Sequence, residues 1–383
     1  MGYQAIVMAG GEGSRLPLAK CRPKPNVYVG GDRAMHHIFR SLERGGVDRV
    51  VVPVQYKASH ITRRMHEEYR GKLEPEAVSP LVASGDVMGS KYNGTADCVR
   101  KTRRFLEGRP KTVVVTSADV LTNIEIGDLI EAHVHYANKG AWATIATVEM
   151  PKDKLYRFGV IIKDRHGRVQ SFVEKPRSYP KETGEINASF YVVDRKLLDL
   201  LDKLKKEGMQ ADDFGKDIFP NLAKDGKLFS YLAKGAYWRD IGIAEDYIQG
   251  NLDMIDGIPG IESPLRKDDE MHCLVGKGFK TQNSSTRDSV IGNYVEIRGS
   301  SVRNSVLVGG NEVINTDLRN VVVDNLATIH GSKVGEFVIV GRDVFIEPGS
   351  VIADGVSIDP GAKINPEMGA IARDVIREYR QKS

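Results

Sequence analysis

The chain has 383 residues, 41% hydrophobic and 28% charged, with a net charge of +4; this is the balance of a globular protein long enough for two domains. So small a charge argues against a general nucleic-acid-binding or membrane-binding surface, and no apolar run is long enough to span a bilayer. The three scattered cysteines, Cys21, Cys98 and Cys273, make neither a disulfide framework nor a zinc site, and with no signal-peptide pattern they point to a reducing cytoplasm.

Taken in order, residues 5–8, 50–54, 112–116 and 141–148 are short apolar runs. They predict strands buried on both faces. Between them, residues 35–43, 97–106 and 126–137 space apolar side chains at helical intervals. Strands alternating with helices predict an α/β fold with a Rossmann-like, mainly parallel sheet. Ligands bind such sheets beyond the carboxyl ends of the strands. After about Pro259 the helical period disappears. Val334, Val340, Ile346, Ile352, Ile358 and Ile364 recur every six residues, with upstream pieces at Ile291 and Ile297 and at Val302 and Val308. That period is the signature of a parallel β-helix, in which each face of a triangular coil contributes one inward aliphatic residue. Two domains are therefore expected, 1–258 and 259–383. Residues 370–379 read as a short amphipathic helix capping the solenoid, whose sticky coil edges favour homo-oligomers.

Candidate chemistry begins at Gly10-Gly11-Glu12-Gly13-Ser14-Arg15, a glycine-rich turn directly after a buried strand. Glycines let successive backbone N–H groups close on a phosphate. Arg15, Arg22 and Lys24 together suit a triphosphate, whose charge must be neutralised before another anion attacks it. His36 and His37 read as packing residues, Trp142 as core and His330 as a surface histidine. The basic clusters at Arg63 and Arg64, at 101–104 and at 203–206 read as solvated faces.

The glycine-rich turn and Arg22-Pro23-Lys24-Pro25 resemble the signature of the sugar nucleotide pyrophosphorylases (sugar-1-phosphate nucleotidyltransferases). Further similar pieces follow in the family's order: Gly94-Thr95-Ala96-Asp97, Phe172-Val173-Glu174-Lys175-Pro176, Glu185-Ile186-Asn187-Ala188 and Tyr237-Trp238-Arg239-Asp240-Ile241-Gly242. The resemblance is nearest to the ADP-glucose pyrophosphorylase (glucose-1-phosphate adenylyltransferase) branch. It implies transfer of a nucleoside monophosphate from a nucleoside triphosphate to a sugar 1-phosphate. It implies Gly10, Gly11, Gly13, Ser14, Gly94 and Thr95 on the nucleotide, and Glu174, Lys175 and Asn187 on the sugar phosphate. Arg15, Lys24 and Lys175 would be the catalytic cations, and Asp119 and Asp240 would hold Mg²⁺. It also implies a left-handed β-helix, a dimer or tetramer, and an anionic effector, for which Arg63 and Arg64 are the candidates. Alternatives within its reach are a mannose-1-phosphate guanylyltransferase and a catalytically weak regulatory subunit. The pattern departs from the family in a loop one residue shorter between Arg15 and Lys24, in Ala118 for glycine, and in Ser189 for glycine.

Overall fold

A computed structural model describes residues 2–13, 15–20, 22–67, 69, 71–84, 91–368 and 370–371. Packing divides the chain into two compact units, Met1–Gly11 with Ile38–Trp238, and Glu12–His37 with Arg239–Ser383. The glycine-rich turn thus belongs in part to each, and the segment after it joins the solenoid's unit.

Among the described residues, the first unit is built on a nine-stranded sheet. At its centre Thr112–Ser117, Tyr3–Met8, Val47–Pro53 and Glu74–Val78 run parallel in that spatial order. Their middles carry Val113–Val115, Ala5–Val7 and Val50–Val52, all 0–1% exposed; β-branched side chains fit a pleated surface covered on both sides. The long strand Thr183–Asp194 runs antiparallel beside Thr112–Ser117 and also pairs with Ala143–Pro151 and Gly159–Lys163. Asp194 then ends the strand and caps the helix Arg195–Lys206, accepting from the Lys196 N–H at 2.8 Å. This satisfies one of the four orphan amides of the first turn. The expected helix at 126–137 is present as Ile126–Ala137. Trp142 is half-buried rather than core: the Lys227 ammonium lies 3.9 Å from its ring centroid, so one face remains open to a cation.

His133, on the helix Ile126–Ala137, is 1% exposed and its Nδ1 meets the Thr144 hydroxyl at 3.0 Å. Burial lowers its pKa from 6.5 to about 4. The unfolded chain therefore takes up this proton first, so the contribution to stability is complete above about pH 6.5 and declines towards pH 4. Replacing His133 by glutamine should flatten the fall of Tm between those limits, and scanning calorimetry across the range checks this.

The second unit carries the solenoid. Strands of one face, Cys273–Val275, Ser289–Asn293, Val306–Gly309, Val322–Val323, Ile339–Val340 and Ser357–Ile358, stack in parallel register, and a second face stacks likewise from Lys280–Gln282 to Lys363–Ile364. The third is in two parts. The arrangement is a parallel β-helix consistent with the left-handed class. Every member of the six-residue series ends a strand, and Val340, Ile346, Ile352, Ile358 and Ile364 are at most 7% exposed.

Upstream the expected step fails at one place. Leu307, not Val308, is the inward residue: it is 0% exposed and pairs with Ile291. The reason is a change in coil length. Val306 lies sixteen residues after Val290, and Val322 sixteen after Val306; Ile339 follows by seventeen and Ser357 by eighteen. Inward positions in the early coils therefore step by five or six. Corners turn through left-handed residues, among them Asn304, Asn315 and Asn320, whose short polar side chains tolerate that conformation.

A further correction concerns 370–379. Ala370–Ile371 is a strand on Val351–Ile352 rather than the start of a helix; the rest of that stretch lies outside the described residues. His330 is half-buried, edge-on to Phe345 at 5.8 Å and 3.6 Å from Glu312, so it is not a surface histidine. No described helix is long and apolar enough to cross a membrane.

Candidate active site

In the first unit, Tyr3–Met8 and Thr112–Ser117 place Met8 opposite Ser117, and the Ala118 N–H donates to the Met8 carbonyl at 3.1 Å. Gly10, Gly11 and Asp119 thus leave the carboxyl ends of neighbouring parallel strands, where such sheets bind ligands. No described atom stands within 4 Å of a Cβ built on Gly11, so the backbone there is open to close approach. Asp119 accepts a hydrogen bond from the Ser117 hydroxyl. Ala118 has no left-handed φ and is 1% exposed; alanine is therefore compatible with this backbone.

Gly94 is required by packing: a Cβ there would lie 2.3 Å from the Asp212 carbonyl oxygen. Thr95 opens the helix Thr95–Thr102. Its hydroxyl accepts from the Phe214 N–H at 2.9 Å and donates to Asp213 at 3.3 Å. Asp97 is fully buried. Burial raises its pKa, but Lys101 at 2.8 Å, the Asn93 N–H and Arg100 at 2.6 Å outweigh that and hold it below the ordinary value. The segment is thus held on 212–214 by hydrogen bonds, which include the Ala96 and Asp97 N–H groups donating to the Asp212 carbonyl at 2.8 and 3.1 Å, while the ion pairs of Asp97 stay within its own helix.

Glu174 and Lys175 follow from the strand Val169–Glu174. A Cβ on Gly159 or Gly215 would come within 3.0 and 3.1 Å of the Glu174 carboxylate, so both glycines make room for it. Lys175 has a left-handed φ of 50°; its Nζ lies 3.4 Å from Glu174, and its N–H donates to the Phe158 carbonyl at 3.0 Å. Phe158 is edge-on to Trp238, whose Nε1 donates to the Ala188 carbonyl at 3.0 Å. Contacts therefore link Lys175 to the Asn187 loop through Phe158, Trp238 and Ala188. In that loop the pairing of Thr183–Asp194 with Ala143–Pro151 slips between Asn187 and Tyr191. Asn187 fills the gap, accepting from the Ser189 N–H at 2.9 Å and donating to the Tyr191 hydroxyl at 3.0 Å. Burial pushes the Tyr191 pKa up to about 12, which keeps that hydroxyl neutral. Ser189 adopts φ 63°, the conformation a glycine would take without strain.

In the second unit Gly13, Lys24 and Asp240 come together. Gly13 has φ 66°, and a Cβ on it would meet the Lys24 stem at 2.6 Å. Lys24 opens the 3₁₀ turn Lys24–Asn26 and is 7% exposed. A Cβ on Gly242 would lie 3.0 Å from the Lys24 Nζ and 2.7 Å from an Asp240 carboxylate oxygen. An ammonium and a carboxylate thus converge on one glycine. Arg15 is exposed nearby in sequence, and Ser14 lies outside the described residues. Arg22 is a correction to the expected trio of triphosphate cations: its guanidinium is committed to Asp324 at 2.5 Å and Asn325 at 2.7 Å in the solenoid. His36 and His37 are packing residues, 1% and 5% exposed and bonded to Asp32 and to the Val29 carbonyl. Sequence reasoning missed Gly242 and Trp238 as site residues, although both stand in the 237–242 turn whose resemblance to the family marked Asp240.

The model of the nucleotidyl transferase family matches residues 4–257. The chain belongs to this family. Its members transfer a nucleotidyl group, so the chain is a nucleotidyltransferase. Among curated relatives, a glucose-1-phosphate adenylyltransferase of Bradyrhizobium diazoefficiens is 30% identical over 96% of this chain and 91% of its own length. One from Fervidobacterium nodosum is 29% identical over 93% and 85%, and one from Mycobacteroides abscessus 30% identical over 79% and 80%.

Proposed function

We propose that this nucleotidyltransferase transfers the adenylyl group of ATP to glucose 1-phosphate. A phosphate oxygen of the sugar phosphate attacks the α-phosphorus, the bond to the β-phosphate oxygen breaks, and pyrophosphate leaves with ADP-glucose formed. The attacking group is the substrate's own phosphate, so the protein needs no nucleophile or general base; it positions and neutralises. The observation that carries the reaction class is the convergence of the Lys24 ammonium and the Asp240 carboxylate at Gly242. The choice of ATP and glucose rests on the named relatives, which align along almost the whole chain.

The roles proposed follow the motifs. Gly10, Gly11, Gly13 and Ser14 receive the triphosphate with Arg15 and Lys24, and Gly94 and Thr95 stand at the base. Glu174 and Asn187 take the sugar hydroxyls, and Lys175 takes the sugar phosphate. Asp119 and Asp240 would hold Mg²⁺. The described residues contain no group of three or more His, Cys, Asp or Glu arranged for a metal. Two carboxylates suit Mg²⁺, which keeps water and substrate phosphates for its remaining positions. When bound, such an ion neutralises developing phosphate charge.

A second reading, another sugar 1-phosphate, is favoured by Ser189, whose side chain stands at a left-handed position beside Asn187. The test is pyrophosphate release from the purified chain with Mg²⁺, five nucleoside triphosphates and a set of sugar 1-phosphates. ATP with glucose 1-phosphate should give the largest kcat/KM. A different best pair would replace the substrate assignment, and silence throughout would replace the enzyme by a regulatory subunit.

A further inference from the structure

Arg22 and Lys24 differ in what surrounds them, although one residue separates them. The Arg22 guanidinium donates to Asp324 at 2.5 Å and to Asn325 at 2.7 Å. The Arg22 and Asp324 side chains are 13% and 1% exposed. Its other side faces the Tyr28 ring, 5.2 Å from the centroid. The receiving corner is itself fixed. The Asp324 carbonyl accepts from the buried Asn311 amide at 2.5 Å, its carboxylate caps the Asn325 N–H at 2.8 Å, and Asn325 donates to the Gly309 carbonyl at 3.3 Å. A second ion pair joins Lys20 to Asp359 at 2.6 Å. Asp324 and Asp359 follow strands in one face of the solenoid, two coils apart, because Val323 pairs with Val340 and Val340 with Ile358. The segment 17–24 is therefore held at two points of one solenoid edge.

Lys24 is reached from Arg22 through Pro23 alone. Pro23 has φ −59° and ψ 148°, and Pro25 stands inside the Lys24–Asn26 turn. Pro23 fixes its own φ and disfavours helical backbone at Arg22 before it; Lys24, although it precedes Pro25, is held in the 3₁₀ turn. Few torsions are thus left to absorb a shift at Arg22 before it reaches Lys24.

We propose that Arg22 is a positioning residue rather than a triphosphate ligand, and that the solenoid corner at Asp324 and Asn325, acting through it, sets the place of the Lys24 amine. The proposal rests on the reading of Lys24 as a triphosphate cation. It makes the solenoid part of the catalytic apparatus.

Two readouts test it on the full-length chain. One is the rate at which Lys24 is acylated by an amine-reactive ester, followed by peptide mass spectrometry; it does not need turnover. The other is steady-state pyrophosphate release. Relative to the parent, Asp324→Ala should label Lys24 about fivefold faster and lower kcat about tenfold, with KM for ATP within about twofold, since a displaced group is lost mainly from the transition state. Asp324→Asn, which keeps shape, should shift both readouts the same way by less. Arg22→Ala combined with Asp324→Ala should be no worse than the worse single variant, because coupled residues are not additive, and Arg22→Lys should recover part of the loss. Unchanged labelling and kcat in folded Asp324→Ala or Asp324→Asn would overturn the proposal. So would a large rise in KM for ATP in Arg22→Ala that Asp324→Ala does not share. If the parent releases no pyrophosphate, the functional reading fails, while labelling still decides whether the corner holds Lys24.

Discussion

Exchanging Asp240 for asparagine is expected to lower kcat by about three orders of magnitude, close to 4 kcal/mol of barrier. Asparagine keeps the size of the side chain and removes its charge, so the change falls on metal binding and on the ammonium beside it. The Lys24 Nζ and the Asp240 carboxylate lie 3.0 and 2.7 Å from the same point at Gly242. On the proposed assignment, losing the carboxylate would remove both a charged oxygen ligand for Mg²⁺ and a negative charge close to the Lys24 ammonium. Asp119→Asn should cost a similar factor. The double variant should be far less than additive, because two ligands of one ion act as a unit. Raising Mg²⁺ should restore part of the rate in either single variant. Near-parental kcat in Asp240→Asn, or full additivity of the pair, would remove these carboxylates from the metal assignment. Pyrophosphate release across a Mg²⁺ titration measures all three variants.

Gly242→Ala is expected to reduce kcat about a hundredfold while leaving Tm nearly unchanged, since sub-ångström placement of charged groups governs this kind of catalysis. The methyl group meets no backbone atom among its three nearest neighbours; it meets the charged ends of the Asp240 and Lys24 side chains. Flexible ends move aside at small cost to folding, so stability is spared. The same movement carries the two charges away from their working positions. Nor does Gly242 have a left-handed φ, so the effect is crowding and not backbone strain. Calorimetry alongside steady-state kinetics separates the two. A variant that loses many degrees of Tm, or keeps its full rate, would contradict this account.

Much of the candidate site was legible because its chemistry is carried by residues at motif spacing. The turn 10–15 and Lys24 stand out by residue type, whereas 94–97, 174–175, 187 and 237–242 stand out only by their resemblance to the family's motifs, met in the family's order. What these residues touch could not be read that way. Thr95 spends its hydroxyl on 213–214, and Asn187 fills a slip in strand pairing. Arg22 shows the limit best: it sits among phosphate-directed residues by spacing and yet is taken by Asp324, about three hundred positions later in the chain.

The same division holds for the fold. Local rules decide the buried β-branched strands of the parallel sheet, because a strand covered on both faces has to be apolar throughout. They also decide the six-residue series from Val334 to Ile364, because a constant coil length repeats the same inward position. Tertiary structure alone decides the rest. Shorter coils move the inward place from Val308 to Leu307, since register there is set by the neighbouring coil. Packing places Glu12–His37 with the solenoid, where its cations find a buried partner at Asp324 and an exposed one at Asp359. Neither outcome has a local cause: both depend on which distant backbone and carboxylates the fold brings alongside.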